Sequence, residues 1–562
     1  MKPIIYQLFP RLFTNKCNHC IPNGSIEENG VGKMNDINDT VLSSIKNLGV
    51  THIWYTGIIE HATKTDYSKY GITPDNSHIV KGNAGSPYAI KDYYDVDPDI
   101  AVNVPERMKE FEELVTRTHK NKLKVIIDFI PNHVSRQYHS EVKPAGIEDL
   151  GEGDDTSRSF APNNNFYYIT HQLFSPGVDL GSGKDSYYEF PAKATGNDCF
   201  SAFPNQNDWY ETVKLNYGID FSDMSKHFSP IPGTWYKMVN ILRFWSSKGV
   251  DGFRCDMAHM VPVDFWNWAI PLVKEKYPDT IFIAEIYDKG LYRNYIFNGH
   301  FDYLYDKVGL YDTIRGIICN NFSAASITDC WQSIDGINSH MLNFLENHDE
   351  QRFASKQFAG SSAPIIPAFV VSSTINSGPM LIYQGQELGE NAHEAEGFSG
   401  LDGRTTIFDY WCIPTLRRWY NNGKCNSDNL TQEEVRLRGL YENILNICNK
   451  EKAISEGSFF DLMYVNYNNL DPHRHYIFLR YYKNEVLYII ANFNNQDATL
   501  QIDIPPLAFE LMGIKQGTYS AQELISSENR ELPLKVGVPL ITKVDALGAT
   551  IWKFKTKSIK NK

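Results

Sequence analysis

Short apolar runs alternate with amphipathic stretches along most of the chain, and this alternation is its clearest signal. Ile4 to Phe9, Thr51 to Ile58, Lys124 to Ile130, Val250 to Asp256, Thr280 to Glu285, Phe301 to Tyr305, His340 to Glu346 and Pro379 to Gln384 read as strands. Between them the apolar period lengthens to that of a helix. Asp36 to Leu48 carries Ile37, Val41, Leu42, Ile45 and Leu48 on one face. Val104 to His119, Trp235 to Lys248, Phe265 to Lys276, Tyr311 to Cys319 and Pro364 to Ser377 behave alike. Strands that are apolar throughout and separated by helices predict parallel strands covered by helices. Eight of them suffice to close a (β/α)8 TIM barrel, with an open doubly wound sheet as the competing architecture.

The alternation lapses twice. Residues 131–220 are rich in Gly, Asn, Asp and Tyr and are too long for an ordinary connection. They predict an irregular subdomain inserted after strand 3. After a further helix, Thr431 to Ile447, helical periodicity fades, and runs such as HRHYIFLRYY, EVLYIIANF and ATIWKFK predict a C-terminal antiparallel β-sandwich domain. The expected division is therefore 1–130 and 221–456 for the barrel, 131–220 for the insertion and 457–562 for the C-terminal domain.

Composition narrows the partners. Asp and Glu number 67 against 54 Lys and Arg, a net charge of -13 that opposes nucleic-acid binding as a main activity. The basic tail from Lys555 to Lys562 is short enough to be a solvated terminus. No apolar run is long enough to span a bilayer, and MKPIIYQLF does not read as a signal peptide. The expectation is no membrane partner and a cytoplasmic location, or an extracellular or periplasmic one had a leader been removed. Nine cysteines, an odd number thinly spread, fit reduced thiols, and the single C-x-x-C of Cys17 and Cys20 has no second pair to complete a zinc site. Tyr and Phe, at 33 and 31, are abundant enough to suit flat apolar ligands such as sugar rings as well as a core.

Polar groups gather where the apolar strands end. Asp128, Asn132 and His133 close the third strand, Arg254, Asp256 and His259 the fourth, Glu285 the fifth, and Asn347, His348, Asp349 and Glu350 the seventh. In a closed parallel barrel these ends share one rim. Three carboxylates there, Asp256, Glu285 and Asp349, suit a reaction that passes through a positively charged, oxocarbenium-like state. Arg254 lies two residues before Asp256, hence on the same side of the strand, and would hold it ionised as a nucleophile. Glu285 follows apolar Phe-Ile-Ala with no adjacent cation and would be the proton donor, leaving Asp349 to hold the ring distorted. His133 and His348 are placed to donate hydrogen bonds to sugar hydroxyls. The competing readings are a structural ion pair at Arg254 and Asp256 and a metallohydrolase rim, the latter opposed by the lack of any H-E-x-x-H.

At these residues the chain resembles the α-amylase superfamily of retaining glycoside hydrolases. The motifs are DFIPNHV from Asp128, GFRCDMAHM from Gly252, AEIYD from Ala284 and FLENHD from Phe344, in the family's order and spacing. The resemblance implies that Asp256 is nucleophile, Glu285 acid/base and Asp349 transition-state stabiliser. It implies that Arg254 orients Asp256, that Asp128 bonds Arg254, and that His133, His348 and Tyr88 meet the sugar before the cut bond. His259 is expected on the leaving-group side of the cleft, together with Glu350 and Arg352.

Many members bind calcium between barrel and subdomain through an Asn, an Asp and a His. Asn132 matches, but Lys214 and Met260 stand at the other two places, and neither side chain suits calcium. The expectation is no metal and no cofactor, with calcium elsewhere left open. The expected activity is hydrolysis of α-1,4 bonds in starch, glycogen or maltooligosaccharides. A transglycosylase, an α-glucosidase (including one with α-1,6 specificity) and an inactive carbohydrate-binding relative are the alternatives. Oligomeric state is open.

Overall fold

The computed structural model describes residues 2–556. The tail beyond Thr556, which holds most of the basic run ending at Lys562, lies outside the described residues. Eight strands close a parallel barrel: β1 (Ile4–Leu8), β2 (His52–Tyr55), β3 (Lys124–Phe129), β4 (Gly252–Cys255), β5 (Ile281–Ala284), β6 (Tyr303–Tyr305), β7 (Met341–Phe344) and β8 (Met380–Tyr383). They follow one another in chain order around the ring, and β8 pairs back onto β1 through Ile4 and Met380. These are the eight apolar runs of the sequence. They read as unbroken apolar segments because both faces are covered, the inner by the barrel core and the outer by helices.

The principal covering helices are α1 (Asp39–Asn47), α2 (Arg107–Lys120), α3 (Gly233–Ser247), α4 (Val263–Lys274), α5 (Tyr292–Phe297), α6 (Asp312–Cys319), α7 (Ile365–Thr374) and α8 (Gln432–Lys450). Local chemistry sets their ends. The Asn38 side chain accepts from the amides of Thr40 and Val41 and opens α1. Thr431 and Glu434 form a reciprocal capping box at the start of α8. Gly49, just after α1, has φ +100°, which an L side chain rarely adopts.

Two antiparallel additions lie outside the ring. Between β3 and α3 the chain makes two-stranded ribbons: His133–Ser135 with Thr212–Lys214, Tyr168–Ile169 with Ala192–Lys193, and Ile219–Asp220 with Ser225–Lys226. Such short pieces cannot bury a face of their own, so side-chain hydrogen bonds and a small cluster around Phe174 and Tyr210 fill in. The C-terminal region forms β9 (Ser458–Asp461), β10 (His475–Tyr482), β11 (Glu485–Asn492), β12 (Ala498–Ile502), β13 (Gly517–Glu523), β14 (Asn529–Leu534), β15 (Leu540–Val544) and β16 (Ala549–Lys555). Six of them make one antiparallel sheet, ordered β9-β10-β11-β16-β13-β14, and β12 pairs with β15 in a second.

The C-terminal sheets are fastened to the barrel through Arg480 on β10. Its guanidinium, fully buried, donates to the carbonyls of Ile375, Ala453, Ile454 and Gly457. No described helix is long and apolar enough to cross a membrane.

Candidate active site

Parallel pairing sets the register of the rim. On β4, Arg254 lies level with Asp128 of β3 and Ile283 of β5, and Cys255 lies level with Ala284. Asp256 and Glu285 are each the first residue past their strand, so both carboxyls emerge at the C-terminal end of the barrel. Arg254 is fully buried and stands between them. Its Nη1 donates to Asp256 Oδ1 at 2.6 Å, and its Nη2 lies 2.8 Å from Glu285 Oε1, outside hydrogen-bond alignment. Asp128 is 3.5 Å from the same Nη1. The rings of Trp54, Tyr88 and Tyr305 surround the guanidinium, with centroids 5.3–5.6 Å away. One buried cation therefore meets three carboxylates, and an aromatic sleeve surrounds it, Tyr305 accepting from its Nε at 3.3 Å.

The sequence offered Arg254 to Asp256 by spacing and to Asp128 by resemblance. The fold gives it to Glu285 as well, because adjacent barrel strands run in register. Burial raises Asp256 above the usual carboxylate range, and Arg254 opposes that rise. Burial also raises Glu285, Arg254 opposes it, and the negative charges of Asp256 and Asp349 add to the rise. The expected lowering of Asp256 by its arginine is thus outweighed by burial. Glu285 has partners the sequence did not suggest: Oε1 accepts from the Tyr287 hydroxyl at 2.6 Å and Oε2 from the Met257 amide at 2.9 Å. Asp349 stands at the rim with 39% of its side chain exposed, and His348 Nε2 lies 3.0 Å from its Oδ2. Burial works to raise Asp349, but His348, followed by Arg254 and Arg404, prevails and holds it low.

A cavity of about 570 Å³ opens over these groups. Of the residues expected from sequence, Tyr88, His133, Asp256, Glu285, Asp349 and Glu350 line it. Tyr88 stacks on the ring of His348 with centroids 5.1 Å apart, and its hydroxyl meets His348 Nε2 at 2.6 Å. Gln7 on β1 holds the other ring nitrogen of His348, its Nε2 lying 2.8 Å from Nδ1. His133 packs against Trp209, and burial, reinforced by Lys214, pushes it down to about 3, so it is neutral near pH 7.

Other expected residues stand behind the wall. Asp128 accepts from Trp54 Nε1 at 2.9 Å and supports Arg254 from the barrel interior. His259 lies beside the Glu285 main chain, its Nδ1 3.5 Å from that carbonyl, and is not among the lining residues. Arg352 is fully buried, bonded to Glu346, Gln384 and Thr405. The wall also contains Lys81, Trp209, Tyr287, Lys307, Arg404 and Phe408, which the sequence reading passed over. Tyr287 alone had a visible signal, as the aromatic residue of AEIYD two places after Glu285.

A family model described as "Alpha amylase, catalytic domain" matches residues 7–410. The chain belongs to the alpha-amylase family. It is a glycoside hydrolase, and α-glucans are its class of substrate. Among similar proteins, Alpha-amylase 3 of Dictyoglomus thermophilum is 24% identical over 481 residues, spanning 81% of this chain and 78% of its own. The solved structure of the alpha-amylase from Geobacillus thermoleovorans complexed with acarbose superposes with a TM-score of 0.63 at 17% identity, covering 99% of both chains. The Nostoc punctiforme debranching enzyme gives 0.65 at 18% identity over 98% of both. At such identities the structural likeness speaks for the fold.

At the family's usual calcium position the oxygens already hold an ammonium group. Lys214 Nζ donates to Asn132 Oδ1 and, at 3.2 Å, to the Met260 carbonyl, and pairs with Asp198 at 2.6 Å. The ammonium itself occupies the place between these three oxygens that a divalent cation would need. The wider expectation of no metal needs correction, however. Glu60, Asp92 and Asp95, all buried, each offer a carboxylate oxygen, and these oxygens lie within 4.8 Å of one another. The sequence reading considered only the usual position. This cluster arises from an irregular pairing of Ile59–His61 with Ile90–Val96, whose register shifts on both sides of Glu60.

Proposed function

We propose that this amylase-family chain cleaves α-1,4-glucosidic bonds of starch, glycogen or maltooligosaccharides with retention, through a covalent glycosyl-enzyme. In this reading Asp256 attacks the anomeric carbon, Glu285 protonates the departing oxygen and later deprotonates water, and Asp349 stabilises the distorted ring. The supporting observation is the fork of Arg254, which contacts both Asp256 and Glu285. Two carboxyls on one guanidinium are separated by at most about 8 Å, a bound that includes the ~5–5.5 Å spacing typical of retaining glycosidases. Cavity walls of Tyr88, Trp209 and Phe408 give apolar faces for sugar rings, with His133 as a polar handle, while His348 stands behind Tyr88 and Asp349 and holds them in place.

The proposed chemistry needs Asp256 ionised and Glu285 protonated in the same complex. Asp256 keeps its aligned bond to Arg254, which favours the anion. Glu285 sits between Asp256 and Asp349, whose charges favour its neutral form. After glycosylation consumes the Asp256 charge, one repulsive term on Glu285 disappears, which favours its release of the proton and its turn as base. The same accounting supports the division of the chain into barrel (1–130 and 221–456), insertion (131–220) and C-terminal domain (457–562), since every group in it except His133 and Trp209 comes from the barrel.

Incubation with maltoheptaose tests this reading, with products followed by chromatography and their anomeric form by NMR. Shorter sugars released in the α configuration are expected. Longer products would favour a transglycosylase, and β-configured products would end the retaining mechanism. Asp256→Asn is expected to reduce kcat on the order of 10⁴-fold or more while leaving binding of maltooligosaccharide intact.

A further inference from the structure

The acidic cluster away from the cleft has a composition that the proposed reaction does not use. Glu60, Asp92 and Asp95 are 1%, 0% and 3% exposed. Asp75 and Glu141 adjoin them: Asp75 shares Lys91 with Glu60, and the Glu141 amide donates to Asp92 Oδ2 at 3.1 Å. Two cationic side chains, Arg107 and Lys91, answer these five carboxylates, which leaves the group with an excess of carboxylates over cations. Arg107 is spent on Asp95 and the Val104 carbonyl. Lys91 donates to the Thr73 carbonyl, lies 3.3 Å from Asp75, and stays 3.9 Å from Glu60.

Glu60 supplies the independent observation. Both of its carboxyl oxygens are buried and neither meets a hydrogen-bond donor in the protein. Its companions are held at both oxygens: the Glu141 amide meets Asp92 Oδ2, Arg107 meets Asp95 Oδ2, and main-chain amides take the other two. Asp92 Oδ1 accepts from the Tyr94 amide at 2.8 Å, and Asp95 Oδ1 accepts from the Val96 amide at 2.7 Å. Backbone amides that fix a carboxylate while leaving lone pairs free are what a metal-binding carboxylate requires. An unpaired buried carboxylate is otherwise among the costlier features a fold can carry.

We propose that Glu60, Asp92 and Asp95 bind one hard divalent cation, with Ca²⁺ the fitting member of the class. The donors are all oxygen, with no imidazole or thiolate to favour zinc or copper. The carboxylates come from two strands of irregular register, a setting that tolerates the variable geometry of Ca²⁺ better than the strict octahedron of Mg²⁺. This site is separate from the position taken by Lys214.

The cation would act on the cleft through the chain that carries it. Ile90–Val96 begins two residues after Tyr88. Its neighbours are the loop from Thr63 to Asp75, tied through the Thr63 amide to Asp75 Oδ2, and the segment at His139, whose amide bonds the Lys91 carbonyl. One ion would tie Ile59–His61 to Ile90–Val96, against which these neighbours rest, and stiffen the wall that holds Tyr88.

The test uses the full chain, stripped with EDTA and passed over a chelating resin. Terbium is then titrated while tyrosine-sensitised emission is followed. Saturable emission at one Tb³⁺ per chain, displaced by Ca²⁺ more readily than by Mg²⁺, is expected. A rise of several degrees in Tm on adding Ca²⁺ is expected alongside it. Glu60→Gln should abolish both signals, and Asp198→Asn, at the usual calcium position, should retain both. If Glu60→Gln does not fold, Asp92→Asn takes its place, and the wild-type titration stands alone as a test. Absence of emission and of a Tm shift in the wild type would overturn the proposal. So would full retention of both signals in a folded Glu60→Gln protein, or their loss in Asp198→Asn with retention in Glu60→Gln.

Discussion

Arg254 shows how much a single buried side chain can organise. It contacts Asp128, Asp256 and Glu285 and is sheathed in rings, so the polarity of the rim is set by one guanidinium. Tyr287 tunes the same centre from outside, since its hydroxyl bond to Glu285 favours the carboxylate. Removing it in Tyr287→Phe raises the Glu285 pKa further, so the alkaline limb of kcat/KM against pH should move to higher pH. A limb that stays in place would show that Tyr287 does not act through Glu285. Glu396 makes a separate prediction about stability. Burial, with help from Glu390, raises it from 4.5 to about 8, against the opposing bond from the Thr406 amide. A carboxyl raised in the folded state favours folding at low pH, and that contribution is lost as pH climbs from about 4.5 to 8. Glu396→Gln should therefore flatten Tm between pH 5 and 9, removing on the order of 3–5 kcal/mol of pH-dependent stability. Parallel Tm curves for the two proteins would sink this account.

At the scale of elements, legibility followed burial. The eight barrel strands were plain because each is covered on both faces and so carries an unbroken apolar run. The rim carboxylates were plain because each ends such a run. The ribbons between His133 and Lys226 were not, since pieces of two or three residues leave no period to count. Trp209, Lys81 and Arg404 were missed for a related reason: loops bring them to the cleft, and no spacing announces it. Neither the reach of Arg254 to Glu285 nor the cluster at Glu60 could be seen without strand register. The junction at Lys214 was half legible, as a lysine in place of an acid, and its three oxygen partners complete the picture. Lys214→Met leaves Asn132 Oδ1 and the Met260 carbonyl without a donor, and should cost roughly 1–3 kcal/mol in thermal or urea unfolding. An unchanged midpoint would mean that water replaces the ammonium at no cost.

At the scale of the whole molecule, the C-terminal sheets and the barrel meet around Arg480, whose pKa burial lowers to about 10. Arg480→Met strands four buried carbonyls, and a loss of several kcal/mol follows if even half find no new donor. The expected calorimetric signature is a split into two transitions, with the C-terminal sheets melting first. A single transition at the original temperature would show that the remaining contacts, among them Lys553 on Glu451 and Thr328 and Trp331 on Asp461, suffice to join the two regions.

All four acceptors on Arg480 belong to the main chain. Their identity as amino acids is therefore irrelevant to the clasp, and only the path of the backbone matters. A library randomised at Ile375, Ala453 and Ile454 with residues that preserve that path should stay docked, whereas randomising position 480 should not. Side chains at these three seam positions can thus diverge without loosening the clasp that Arg480 makes.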